Sequence, residues 1–177
     1  MGKKEFDDFI NGEARQDVID IDWGERLEIW KSFLTSLYKN INLWLKEYLE
    51  SGKIKIEARE LEIYEDAIGK YTVPSMTLSV GKNLVYIKPY GTILIGTIGR
   101  VDIICKNNTQ KIILADKNAN APRALSTIDL NSGNEPKSLA DKYIDWEWKL
   151  TTNPPNIKYS SLNQDSFYDC LMEVING

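Results

Sequence analysis

Between Gly24 and Ser51 the apolar positions return every three or four residues. Leu27, Trp30, Leu34, Leu37, Ile41, Trp44 and Tyr48 fall on one stripe, with Phe33, Leu45 and Leu49 widening it. That spacing predicts an amphipathic helix. Asp22 stands where an N-cap belongs, with Glu25 at the capping-box position, and Gly52 supplies a stop. Only about three heptads are present and no second heptad helix follows, so the stripe predicts a helix packed on a sheet rather than a coiled coil.

From Lys53 the period changes to two. In "KIKIEA" Ile54, Ile56 and Ala58 point one way, and in "ELEIY" Leu61 and Ile63 share a side. The phase slips by one residue near Arg59, which predicts a bulge or tight bend. A helix over Glu57 to Ile68 is the alternative. "AIGKYTVPS" is expected as a connection, and "MTLSV" and "LVYIKP" as a hairpin across "GKN". "TILIG" and "GRVDIICK" continue the sheet, and "KIILAD" closes a second hairpin across Asn107 to Gln110. Gly91, Gly96 and Gly99 mark bends or bulges. Residues 117–143 form a long polar loop. "DWEWKLT" places Trp146 and Trp148 on one strand face, and Asn153-Pro154-Pro155 ends it. "SLNQDSFYDCLMEVI" aligns Phe167, Leu171, Val174 and Ile175 on a helix capped by Ser161. The expected fold class is α+β: an antiparallel β-sheet of about six strands packed against a long N-terminal helix and a C-terminal helix. An acidic segment 1–22 precedes a single domain over 23–177.

Composition narrows the chemistry. With 42% hydrophobic and 27% charged residues over 177 positions, the chain reads as one globular unit. The net charge of −4 does not favour nonspecific attraction to nucleic acid or to an anionic membrane. The charge is uneven: residues 1–69 carry 16 acids and 10 bases, residues 70–177 carry 10 and 12, so an acidic surface is expected in the N-terminal part. Its bland reading is a solvated helix face. Cys105 and Cys170 both lie in apolar runs, as buried free thiols do in reducing compartments. "MGKKEFDDFI" lacks the apolar run of a signal peptide, and no run approaches the ~20 residues of a membrane span. The expected location is cytoplasmic. Histidine is absent, which removes Ser-His and Cys-His nucleophiles and histidine metal ligands.

One stretch invites a catalytic reading. "GRVDIICKNNTQKIILADKN" sets Asp102 on one run and ends the next in Asp116-Lys117. In spacing it resembles the PD-(D/E)xK nucleases, which set an acid on one strand and Asp/Glu-x-Lys on the next. With Lys106 opposite Lys111, Asp102 stands opposite Ala115 and diagonal to Lys117. An Asp/Glu-x-Lys motif ending at Lys117 needs its acid at position 115, where this chain has alanine. Two carboxylates are the minimum for a divalent cation, and this face offers one. Glu65 or Asp66 would be the first acids to complete such a site from outside. The structural reading is that Asp102 neutralises Arg100 and Lys117. "GTIGR" presents no helix N-terminus to a phosphate. Glu60, Glu62, Glu65 and Asp66 fit no calcium loop and read as a solvated strand edge.

No catalytic residues, metal ligands or cofactor are therefore assigned. The expectation is a small non-catalytic protein-binding module of cytoplasmic, bacterial type. An immunity, inhibitor or accessory role is expected, and immunity proteins and antitoxins share its general look. The alternatives are a degenerate PD-(D/E)xK-like nuclease-fold module and a multimeric assembly or phage-type structural component. A protein partner is expected, and a homo-oligomer is compatible with the sequence. The expected binding surface comprises Arg100, Asp102, Lys117, Arg123, Trp146 and Trp148.

Overall fold

The computed structural model of the chain describes residues 22–92, 97–122 and 139–177. Helix α1 runs Trp23–Trp44. Asp22 caps it as the sequence predicts, its Oδ1 accepting from the Glu25 amide at 3.0 Å. The helix breaks at Leu45 and resumes as α2, Lys46–Glu50. Gly52, at φ +72°, ends it. The Gly52 amide donates to Leu49 O and the Lys53 amide to Tyr48 O, a Schellman closure that satisfies two terminal carbonyls.

Among the described residues seven strands follow in one antiparallel sheet whose spatial order is their chain order. They are β1 Ile54–Glu65, β2 Gly69–Val80, β3 Asn83–Gly91, β4 Arg100–Cys105, β5 Asn108–Asp116, β6 Trp146–Thr151 and β7 Tyr159–Ser161. Helix α3 is a single turn, Leu139–Lys142, and helix α4 spans Gln164–Asn176. The fold is α+β, with seven strands among the described residues against the expected six or so; of the expected "TILIG" run, all but Thr92 lies outside the described residues. The extra strand is β7, three residues reached through a turn holding the cis Pro154–Pro155 bond. Asn163, not Ser161, caps α4, in a reciprocal capping box with Ser166. Ser161 belongs to β7 instead.

Helices α1 and α4 cover one face of the sheet. Trp30, Leu34, Leu37 and Ile41 meet Val85, Ile87, Val101, Ile103, Ile112 and Leu114, while Phe167, Cys170 and Val174 come from α4. Trp148 packs its ring 5.6 Å from that of Trp30 and donates its indole N–H to Phe33 O at 3.0 Å. Gly99 passes so close to Trp30 that a Cβ there would lie 2.0 Å from the ring. This contact, rather than turn geometry, requires glycine at that position.

The phase slip of the first strands has a different cause from the expected bulge. β1 and β2 pair without interruption from Ile54↔Val80 to Glu65↔Gly69. The "AIGKYTVPS" stretch is thus mostly strand. The slip appears in both strands, between Ala58 and Leu61 and between Val73 and Met76. β2 bonds to β3 only over Met76–Val80. Beyond that the hairpin is a two-stranded ribbon, and such ribbons twist most strongly. Its outer half turns the opposite face, Tyr71 and Val73, into the core. Pro74 lies on the part of β2 that β3 does not reach, where a missing N–H costs no ladder bond. Glu65 fastens the ribbon's end by accepting from the Thr92 amide at 3.0 and 3.2 Å and from the Tyr71 hydroxyl.

Candidate protein-binding face

The β4–β5 hairpin turns more tightly than the sequence suggested. Cys105 pairs with Asn108 across Lys106-Asn107, and Lys106 takes φ 54°. Asp102 therefore stands opposite Lys111, not Ala115. The shift from the expected register is four residues. Because four is even, the two faces keep their members. Val101, Ile103, Cys105, Ile112 and Leu114 still face the helices, and Arg100, Asp102, Ile104, Ile113 and Ala115 still face away. Lys117 is no longer diagonal to Asp102; it lies beyond the end of β5.

On the outward face Arg100 and Asp102 form a two-point pair. Nε and Nη2 donate to Oδ1 and Oδ2, both at 2.7 Å. The hydrogen bond to Asp102 holds the Arg100 guanidinium above its ordinary pKa, against an opposing effect of burial. The guanidinium also stacks over the Tyr90 ring, 4.3 Å from its centroid. Asp102 is buried. Both its oxygens are committed to Arg100, and the described residues contain no cluster of three acids or cysteines able to hold a metal ion.

The cross-strand register extends this face. Lys88 stands opposite Asp102, Tyr86 opposite Ile104, Thr77 opposite Tyr86, and Glu57 opposite Thr77. The open part of the face therefore carries Lys55, Arg59, Lys88, Arg100 and Lys111 against two acids, Glu57 and Asp102. Arg59 pairs with Glu57 at 3.3 Å and Arg100 with Asp102. Among the described residues Lys55, Lys88 and Lys111 have no ion pair. On a chain of net charge −4, this is a local excess of positive charge. Along β3 the same face presents Leu84, Tyr86 and Tyr90, 49%, 45% and 57% exposed. Towards β6 the face is closed: Lys149 is buried and donates from Nζ to Lys117 O and Ala119 O, at 2.7 and 2.8 Å.

Of the residues expected at a binding surface, Arg100 and Asp102 come together. Lys117 is exposed, and its backbone carbonyl anchors Lys149. Trp148 is a buried core residue, and Trp146 is half-buried with its ring edge-on to Tyr143 at 4.9 Å. Arg123 lies outside the described residues. Leu84, Tyr86, Lys88 and Tyr90 were not among the residues expected there, although "NLVYIKPYG" carries the signal. Its alternation is apolar on both faces, so a strand covered on one side exposes aromatic groups on the other. No family model matches the chain, and no curated protein or solved structure matches it either.

Proposed function

We propose that the protein is a non-catalytic protein-binding module that engages its partner through the outward face of strands β1–β5. One observation carries this reading: Leu84, Tyr86 and Tyr90 stand exposed in a row, beside an arginine already fixed by Asp102 and stacked on Tyr90. Tyrosine and arginine are enriched at interfaces because each combines contact area with hydrogen bonding. A guanidinium held by two bonds loses little further freedom on association. The arrangement suits an inhibitor, immunity or accessory protein, whose task is tight association without chemistry. A further reading as a nuclease-like site finds little support, since Asp102 is consumed by Arg100 and Glu65 by Thr92 and Tyr71.

The test is capture from an extract of the native host by the immobilised full chain, beside the double variant Tyr86→Ser/Tyr90→Ser. We expect a stoichiometric partner on the parent chain that the variant loses while remaining folded. A partner retained undiminished by the variant refutes this face as the interface.

A further inference from the structure

Strands β2 and β3 part company at Met76↔Ile87, because β2 follows β1 into the twisted ribbon while β3 continues beside β4. The divergence opens a notch of about 300 Å³ on the outward face. Leu61 and Ser75 line one side, and Tyr86, Lys88 and Ile104 the other. Its wall is largely apolar, and one cation stands at its rim. The notch lies within the stripe of exposed tyrosines and is flanked by Lys88 and Lys111, neither of which has an ion pair among the described residues.

From this juxtaposition we infer that the partner is an acidic protein segment that seats one large apolar side chain in the notch and lays carboxylates against Lys88 and Lys111. The inference rests on the outward face being the interface and specifies what binds there. The apolar wall needs an apolar occupant, since a polar group buried there would lose its hydration with few partners in return. The two lysines need negative charge, because the one carboxylate between them, Asp102, is held by Arg100. The exposed tyrosines supply contact area around the anchor and screen it from water. Nucleic acid would satisfy the lysines, but it offers a stacking base rather than an apolar anchor for a notch walled by Leu61 and Ile104.

The test uses a displayed library of random 12-residue peptides selected on the full chain, with a 20-nucleotide single strand of DNA as a second probe. We expect enriched sequences that combine Asp or Glu with one Trp, Phe, Leu or Met. Their affinity should fall about tenfold in Lys88→Gln/Lys111→Gln, as the loss of one exposed and one half-buried charge contact implies, and should weaken with added salt. Leu61→Asp, which places a carboxylate in the notch, should abolish binding; Lys39→Gln on α1 should not change it. Neutral or basic sequences that still depend on Tyr86 overturn the acidic-partner inference and leave the face intact as an interface. Enriched sequences indifferent to Tyr86→Ser overturn both. DNA bound more tightly than every selected peptide, and lost in the lysine variant, also overturns the inference.

Discussion

Gly99→Ala should be among the most damaging single methyl additions to this protein. The ideal Cβ would meet Trp30 Cζ3 at 2.0 Å and Cε3 at 2.3 Å, whereas ordinary carbon contacts begin near ~3.5 Å. The ring would have to retreat by roughly 1.5 Å on that contact distance. It has no room, being fully buried with Trp148 against it at 5.6 Å. If the backbone yields instead, it strains the bond from the Leu114 amide to Gly99 O, now 2.9 Å, worth about 1 kcal/mol. Overpacking of this kind costs typically ~1–3 kcal/mol. We expect a loss of about 3 kcal/mol, the upper end of that range, and a Tm lower by roughly 6–12 °C. Urea denaturation of a four-member cycle with Trp30→Leu isolates the cause. The leucine costs stability itself through the cavity it leaves, but it removes the ring atoms that clash. Gly99→Ala should therefore cost at least ~1 kcal/mol less in that background, a coupling of the size contacting residues show. A neutral Gly99→Ala, or an identical cost in both backgrounds, would refute the reasoning.

Three further outcomes are expected. Leu34→Ala and Leu37→Ala, at positions 0% and 1% exposed, should each lose ~2–5 kcal/mol in denaturant titrations, and parental melting of both would show that α1 does not face the core. Stability should decline at alkaline pH. Burial pushes the Cys170 thiol from 9.0 up to about 12 and also raises the hydroxyls of Tyr38, Tyr71 and Tyr143. A raised folded-state pKa gives stability that is complete below the unfolded value and lost as pH rises through the folded one. The denaturation midpoint should thus fall from pH 9 to 12, with slow thiol labelling of Cys105 and Cys170 at neutral pH; a flat profile or rapid native labelling of both contradicts this. Asp102→Asn should cost about 1–2 kcal/mol, more than an exposed pair because the pair is two-pointed and half-buried, and should leave no nuclease activity to lose. Mg²⁺- or Mn²⁺-dependent DNA cleavage that disappears in this variant would restore the catalytic reading.

Long periodic elements were legible in the chain, and short or context-dependent ones were not. The stripe from Trp30 to Ile41 foretold both the helix and its buried face. The face assignment of the β4–β5 hairpin survived a four-residue register error because side-chain alternation is insensitive to even shifts. The turn itself was misjudged because Lys106, a residue uncommon at positive φ, occupies it. The phase slip at Arg59 was real but ambiguous. A bulge in one strand and a twist of both give the same pattern in β1, and only the matching slip in β2 separates them. Pro74 masked the first half of β2. β7 carries no pattern at all, since "YSS" owes its strand geometry to its pairing with β6. On the outward face, the pairing of Asp102 with Arg100 was legible from their two-residue spacing, whereas its expected pairing with Lys117 was not met, because the tighter turn places Lys111 opposite Asp102. Trp148 was not, because the burial of a strand face depends on helices distant in sequence.

The central claim, that a partner sits on the outward face of the sheet, is tested most directly by lysine acetylation with and without the captured partner, read by mass spectrometry. Lys55 and Lys88 are exposed on that face, and Lys39 and Lys46 are exposed on the helices. Protection of Lys55 and Lys88, with Lys39 and Lys46 reacting as in the free chain, is the predicted result. Protection confined to Lys39 and Lys46 would contradict the account.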